Sequence, residues 1–224
     1  MKKFDEHGRI VDLDVSDIPP LTAMISWSAE QWADHDAKVA EINRANAAAA
    51  KLTPEAKLRD RGTGFPERAI VAAATAKPTA AIEKIKTWNH ADKCVLVLAG
   101  SPGCGKTVAA THWAMYNRPG ATFVRASTFA ASSRYDRTER NQWLKAQALV
   151  LDDLGGEYVD TKGSLMADLD ELVDTYYGDQ RPLLITTNLD REAFKSRYGQ
   201  RIADRLRECG RWFSIASESL RGAK

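Results

Sequence analysis

The chain has 224 residues, of which 44% are hydrophobic and 28% charged, and its formal net charge is +2. This length suits one good-sized domain with an arm, or two small domains, and the composition is that of an ordinary globular protein. The small net charge permits a nucleic-acid partner but excludes a protein that coats DNA through a strongly basic surface. The three cysteines are widely spaced and form no Cys-x-x-Cys pair, which argues against a zinc module and a disulfide framework.

The sequence also argues against membrane targeting. Two lysines follow Met1, but no apolar run stands behind them, so the pattern is not that of a signal peptide. The longest apolar run, Cys94–Gly100, is far too short to span a bilayer. We therefore expect a cytoplasmic protein without a membrane partner.

The sequence of the N-terminal part of the chain predicts an extended segment followed by helices. Residues 1–24 are polar and rich in turn formers, which indicates an extended segment. Ser28-Ala-Glu-Gln31 has the pattern of a helix capping box, so a helix is predicted from there to about Lys51. Thr53 followed by Pro54 predicts the start of a second, short helix.

A glycine- and proline-rich loop at Arg61–Pro66 is the candidate domain boundary. It divides the chain into an N-terminal arm at residues 1–60, which we expect to bind a partner, and a core at residues 61–224. Within the core, short apolar strands alternate with helical stretches, and this alternation predicts an α/β fold with a five-stranded parallel sheet flanked by helices. The predicted strands are Cys94–Ala99, Ala121–Arg125, Ala148–Asp152, Pro182–Thr187 and Trp212–Ala216, and the main predicted helices are Lys106–Tyr116, Leu165–Tyr177 and Arg191–Glu208.

A complete phosphate-loop pattern, G-x-x-x-x-G-K-S/T, follows the first predicted strand and precedes a predicted helix. Glycines let backbone N–H groups curl around phosphate oxygens, and the helix presents the positive end of its dipole. Lys106 is expected to reach the β- and γ-phosphates of ATP, and Thr107 to hold Mg²⁺. The predicted ATP-binding residues are Gly100, Ser101, Pro102, Gly103, Cys104, Gly105, Lys106, Thr107 and Val108.

Polar side chains end two further predicted strands. Asp152 and Asp153 follow an apolar run, and ligands of open α/β sheets bind at the carboxyl ends of strands. Asp152 is therefore predicted to bind Mg²⁺, and Asp153 to orient or deprotonate the attacking water. Asn188 ends the next strand, where its amide could position water or contact the γ-phosphate, or could simply cap the strand.

Arg201 and Arg205 lie four residues apart on one predicted helix. The planar, permanently charged guanidinium suits phosphate, and an arginine that reaches the ATP of a neighbouring subunit raises hydrolysis by about 10³–10⁵-fold. The alternative is a solvated helix face on which Asp204 is the partner of these arginines.

These elements together resemble the AAA+ ATPases, and specifically the replicative helicase loaders of the DnaC, DnaI and IstB type. The resemblance covers about residues 61–222, with its signatures in the family's order. Gly64-Phe-Pro-Glu-Arg68 resembles "G-I-P-x-R", Leu151-Asp-Asp-Leu-Gly155 resembles "I-D-D-L-G", Thr186-Thr-Asn-Leu189 resembles "T-S-N-L", Gln200-Arg-Ile-Ala-Asp-Arg-Leu206 resembles "x-R-I-x-D-R-L", and Ser219-Leu-Arg221 resembles "S-x-R".

The resemblance implies a RecA-like sheet, ATP with Mg²⁺ as ligand, and a hexameric DnaB-type helicase and single-stranded DNA as partners. It implies Arg205 as the finger acting in trans, with Arg201 as second choice, and hence self-association through the Arg205 face. The group lacks the C-terminal helical lid of other AAA+ proteins, in line with the few residues after the last predicted strand. An IstB-like transposition helper that acts on duplex DNA is the alternative, and the sequence does not separate the two. A small-molecule kinase and a non-hydrolysing adaptor are weaker alternatives.

Two departures from the family pattern affect these expectations. Asp153 stands where many AAA+ proteins carry glutamate, so we expect slow turnover suited to a switch. The segment where initiator relatives carry a DNA-contacting helical insertion is short here. It holds Arg134, Arg137 and Arg140 near Tyr135 and Trp143, a mixture that suits single-stranded DNA, although the interspersed Asp136 and Glu139 equally permit a solvated face.

Overall fold

The computed structural model describes residues 27–50, 53–60, 63–135, 137–157 and 164–216. The chain divides into two compact units after Lys57. The predicted extended segment at residues 1–24 and the predicted Ser219–Arg221 signature lie outside the described residues. Whether the chain before residue 61 acts as a separate partner-binding domain stays a prediction.

The first unit contains helix α1, Ala29–Ala50, and the start of helix α2, Pro54–Asp60. The predicted capping box is confirmed, because the Ser28 N–H donates to Gln31 Oε1 at 2.8 Å and the Gln31 N–H donates to Ser28 Oγ at 3.3 Å. Beside this cap, the ring centroids of Trp27 and Trp32 lie 5.1 Å apart, and each ring also contacts His35.

The second unit alternates strands with helices, as predicted. Each of the five predicted strands is present, with bounds that shift by one or two residues. Its elements are α3 Glu67–Ala74, α4 Ala80–Lys86, β1 Val95–Gly100, α5 Lys106–Asn117, β2 Thr122–Arg125, α6 Ala126–Tyr135, α7 Arg137–Lys145, β3 Leu149–Leu154, α8 Ser164–Gly178, β4 Leu183–Thr187, α9 Arg191–Cys209 and β5 Gly210–Ile215. None of the helices described is long and apolar enough to cross a membrane.

The five strands form one parallel sheet in the order β2-β3-β4-β1-β5. Apolar side chains on both faces are buried: Leu151 belongs to the core on one side of β3, while its neighbour Val150 belongs to the core on the other. This arrangement confirms the predicted α/β class. Strand β4 lies between β1 and β3, so the carboxyl ends of these three strands are neighbours.

The predicted boundary loop is packed into the second unit. The Phe123 N–H donates to the Thr63 carbonyl at 2.7 Å, and the Phe65 and Phe123 rings lie 5.1 Å apart. Gly64 has φ +80°, and a Cβ there would lie 2.7 Å from the Phe123 carbonyl oxygen, so both conformation and space favour glycine. Leu58 is buried as well, and the second unit therefore begins before this loop.

Candidate nucleotide-binding site

The loop between β1 and α5 folds around its own lysine. Gly103 and Gly105 have φ of 87° and 91°, in the left-handed region that glycine adopts without cost from a Cβ. The Lys106 ammonium, buried at the start of α5, donates to the carbonyls of Gly100 at 2.8 Å and Ser101 at 2.9 Å. The positive charge is thus held at the mouth of the loop.

Close packing beneath this loop explains two of its residues. Cys104 is buried, with its sulfur 3.7 Å from Lys106 Nζ. A Cβ on Gly100 would lie 2.9 Å from that sulfur and 2.8 Å from the Ile215 carbonyl oxygen, so no larger residue fits there. Ser101 and Pro102 lie on the exposed side of the loop, and Val108 packs against the core.

Asp152 is a buried carboxylate at the end of β3. Its Oδ1 accepts hydrogen bonds from Thr107 Oγ1 and from Thr186 Oγ1, each at 2.8 Å. Burial raises the pKa of the Asp152 carboxyl above its ordinary value, and the hydrogen bonds from Thr186 and Thr107 oppose that shift. The structure therefore brings together the two residues predicted to hold Mg²⁺.

Asn188 joins the phosphate loop to the second acid. Its Oδ1 accepts from Lys106 Nζ at 2.9 Å, and its Nδ2 donates to Asp153 Oδ1 at 2.9 Å. Strand β4 carries Asn188 between the ends of β1 and β3, so the sheet order itself produces this bridge. Asp153 and Asn188 are both exposed, as groups that meet a ligand must be.

The predicted arginines lie apart from this cluster. Arg201 pairs with Asp170 at 2.7 Å, and Arg205 pairs with Asp174 through Nε at 2.7 Å and Nη2 at 3.1 Å. Both carboxylates belong to α8 of the same chain. Asp204, the partner that the sequence alone suggested, pairs instead with Arg207. Among the described contacts, none joins Arg201 or Arg205 to the phosphate loop.

The expectation for Arg140 is wrong, both as a single-strand contact and as part of a solvated face. Its side chain is only 5% exposed and pairs with Asp168 at 2.8 Å and with Glu171. Trp143 is buried too, against Phe129. The helices α6 and α7 fold onto α8, so these side chains become core. The side chains of Arg134, Tyr135 and Arg137 lie outside the described residues.

Sequence reasoning missed an anchor behind the second acid. Glu157 is buried and accepts from Tyr198 Oη at 2.6 Å, from Arg197 Nη2 at 3.2 Å and from the Gly155 N–H at 2.7 Å. Burial, together with the hydrogen bond to Glu157, raises the pKa of Tyr198 above its ordinary range. The loop after Asp153 is thereby fixed to the first part of α9, before Gly199. No local sequence pattern predicts this contact, because Glu157 lies some forty positions from Arg197 and Tyr198 in the chain.

Thr186 is the other residue without a predicted role. It belongs to the Thr186-Thr-Asn188 signature and lies in β4, two residues before Asn188, which directly follows the strand. The two threonines that end an otherwise apolar strand, just before Asn188, were the available signal.

The fold matches solved structures of replication proteins. The crystal structure of the DnaC helicase loader superposes with a TM-score of 0.52 at 22% identity, over 67% of this chain and 99% of that chain. A putative primosome component from Streptococcus pyogenes serotype M3 gives 0.51 at 18% identity, over 70% and 85% of the two chains. The replication initiator DnaA bound to AMPPCP and single-stranded DNA gives 0.50 at 17% identity, over 62% and 45%.

No protein-family model and no curated protein matches the sequence. The structural matches show the fold: this chain shares its parallel α/β architecture with these replication proteins.

Proposed function

We propose that this protein is a Mg²⁺-dependent ATPase that loads a DnaB-type replicative helicase onto single-stranded DNA. The observation that carries the ATPase proposal is the hydrogen-bonded cluster of Lys106, Asn188 and Asp153 beside the Thr107–Asp152 pair. A cation, an amide and carboxylates at the carboxyl ends of adjacent parallel strands suit a nucleotide phosphate. The similarity in fold to the DnaC helicase loader supports the loader role.

Phosphate binding would fall to the loop and Lys106. The ammonium now bonds to neutral carbonyl and amide oxygens, and a phosphate oxygen would be a stronger partner because that hydrogen bond joins opposite charges. The backbone N–H groups of the glycine-rich loop and the N-terminus of α5 would add further donors without a second charged side chain.

Mg²⁺ fits the two oxygens predicted to hold it. Thr107 Oγ1 and Asp152 Oδ1 lie 2.8 Å apart, and hydroxyl and carboxylate oxygens are the ligands that Mg²⁺ takes alongside substrate phosphates. Thr107 and Asp152 would hold the cation, and its charge would offset that of the bound phosphates. Burial raises the pKa of Asp152, and the hydrogen bonds from Thr186 and Thr107 oppose that rise and so favour the ionised form that this role requires.

Water activation would fall to Asp153. Its carboxylate is exposed and can accept a proton from water or orient it toward the γ-phosphate. Asn188 holds Asp153 and Lys106 at once, so the acid on the water side and the cation on the phosphate side keep a fixed separation. With aspartate as the base, we expect slow turnover, in keeping with a switch.

Arg205, or Arg201 as second choice, would complete the site of a neighbouring subunit. Each arginine is now paired with a carboxylate on α8. Contact with the neighbour's ATP would exchange that carboxylate for a phosphate, which the planar guanidinium also binds through two hydrogen bonds. The proposal therefore includes self-association through the Arg205 face.

The N-terminal unit is proposed to bind the helicase. Its aromatic cluster of Trp27, Trp32 and His35 offers the type of side chains that anchor protein interfaces. A role in replication agrees with the cytoplasmic location that the sequence predicts.

The decisive experiment measures ATP hydrolysis with no DNA, with single-stranded DNA and with duplex DNA, and then adds a DnaB-type hexamer to a single-stranded circle. Lys106→Ala should lose ATP binding and turnover, whereas Lys77→Ala, an exposed lysine outside the site, should not. Stimulation by single strands together with deposition of the helicase supports the proposal. Stimulation by duplex alone favours the transposition helper, and wild-type protein that neither binds nor hydrolyses ATP refutes the proposal. Salt should be varied, because phosphate contacts to DNA weaken steeply as it rises.

A further inference from the structure

One buried hydroxyl contacts both acids of the site. Thr186, in β4, is 1% exposed. Its Oγ1 donates to Asp152 Oδ1 at 2.8 Å and accepts from the Asp153 N–H at 2.9 Å. Because the Thr186 hydroxyl donates to Asp152 and accepts from Asp153, its orientation is fixed.

The backbone of Asp153 explains why the second of these bonds matters. Consecutive side chains of an extended strand point to opposite faces, so two adjacent acids would normally diverge. Asp153 has φ +61°, in the left-handed region that non-glycine residues rarely adopt, and this turn carries its carboxylate to Asn188. The bond from the Asp153 N–H to Thr186 holds the turn in place.

The first bond acts on the proposed metal ligand. Asp152 Oδ1 is shared by Thr186 and Thr107, and Thr107 is itself expected to turn to Mg²⁺. The hydrogen bond from Thr186 then remains to fix the carboxylate, as partners behind a metal ligand commonly do.

We infer that Thr186 is a positioning residue that aims Asp152 at the metal and Asp153 at the attacking water. The inference rests on the proposed ATPase function, and it adds the residue that orients the two aspartates for their different roles. Thr186 contacts neither ATP nor water in this scheme and acts only through the two aspartates.

The adjacent residue supplies a matched control. Thr187 is also completely buried, and its Oγ1 likewise donates once, to the Leu154 carbonyl at 2.6 Å, and accepts once, from the Leu189 N–H at 3.1 Å. Among the described contacts, the Thr187 hydroxyl bonds to no side chain of the site. Thr187→Val therefore removes an equally buried, equally bonded hydroxyl without releasing either aspartate.

The test compares the full-length wild type with Thr186→Val, Thr186→Ser and Thr187→Val. ATP affinity is measured with Mg²⁺ and with EDTA, and kcat and KM are measured beside thermal unfolding. In Thr186→Val, kcat should fall by about 10- to 100-fold, and the increase in ATP affinity that Mg²⁺ provides should shrink by a similar factor. Losses of about this size are usual when the hydrogen-bond partner of a metal ligand is removed. The affinity of Thr186→Val in EDTA should be unchanged, because Lys106 and the loop remain. Thr186→Ser should recover most of both losses, since serine keeps the hydroxyl.

The outcomes separate the inference from the proposed function. If Thr187→Val loses as much turnover as Thr186→Val for the same loss of stability, or if serine fails to rescue, Thr186 is only structural and the inference is wrong. If the wild type binds ATP but never hydrolyses it, the proposed ATPase function fails, while the Mg²⁺-dependent affinity still decides whether Thr186 aims Asp152. Should Thr186→Val not fold, Thr186→Ala is subject to the same expectations.

Discussion

Replacing Arg205 with alanine should abolish ATP hydrolysis by the assembled protein and leave the chain folded and able to bind ATP. Arg205 forms a two-point ion pair with Asp174, in which the two side chains are 31% and 38% exposed. Water screens a pair at that exposure, so breaking it should lower the free energy of unfolding by about 0.2–1 kcal/mol. The loss of an arginine finger, by contrast, lowers turnover by about 10³–10⁵-fold.

Asp174→Ala is the matched control, because it breaks the same ion pair and retains the arginine. It should unfold at nearly the same temperature as Arg205→Ala and keep most of the turnover. Arg205→Lys preserves the charge but not the planar fork, and should therefore stay close to the alanine variant.

Mixing two inactive variants tests whether the arginine acts in trans. Lys106→Ala is expected to lose its own ATP site and to keep Arg205, whereas Arg205→Ala is expected to keep the site and to lose the finger. If subunits associate head to tail at random, half of them in an equimolar mixture keep the site, and half of those receive Arg205 from a neighbour. The mixture should therefore show about one quarter of the wild-type rate.

Two results would refute this reasoning. A mixture that stays inactive although sedimentation shows the variants in one assembly excludes a finger acting in trans. If Asp174→Ala is as inactive as Arg205→Ala, then the ion pair, and not a contact with ATP, explains the loss. The same set made at Arg201, whose side chain is 76% exposed and pairs with Asp170, decides which arginine has the role.

Three further predictions concern stability and the arm. Burial and the nearby charge of Arg118 lower the pKa of His90 below its ordinary value of 6.5. The unfolded chain thus binds a proton near that pH and the folded chain does not, so the free energy of unfolding should fall as pH drops through 6.5. Urea titrations at several pH values measure this dependence, and His90→Asn should make it weaker. Gly64→Ala should destabilise the protein by about 1–3 kcal/mol, because its Cβ would lie 2.7 Å from the Phe123 carbonyl oxygen; an unchanged melting temperature would contradict that. Deleting residues 1–57, which keeps the buried Leu58, should abolish helicase capture in a pull-down and leave ATP binding unchanged. Full capture by the shortened chain would contradict the proposed role of the arm.

Features encoded in local sequence were predicted well. The five strands are short, apolar and bounded by turn residues, and all five are found in one parallel sheet. The capping box at Ser28–Gln31 was predictable because both of its hydrogen bonds span only three residues. The phosphate loop is equally local, since its glycines and Lys106 are consecutive with the strand and helix that hold them.

Features that depend on pairs distant in sequence were not predictable. Arg140 stands in a polar, helix-forming segment, and only the packing of α7 on α8 shows that Asp168 and Glu171 neutralise it in the core. The same holds for Glu157, whose burial is possible because Arg197 and Tyr198 arrive from another helix. Burying a charge without such partners costs several kcal/mol, so these contacts are needed wherever the charge is buried.

The order of the strands connects the predictable parts of the site with the unpredictable ones. Because β4 enters the sheet between β1 and β3, its polar tip lies between the phosphate loop and the two acids. Asn188 can then bridge Lys106 to Asp153, and Thr186, two residues earlier in the chain, can bond to both aspartates. Behind the acids, Glu157 fixes their loop to the first part of α9, which Gly199, with φ +87°, separates from the part that carries Arg201 and Arg205. The loop that carries the acids is therefore fixed to one part of α9, and the arginines proposed to reach the next subunit lie on the other part, beyond the bend at Gly199.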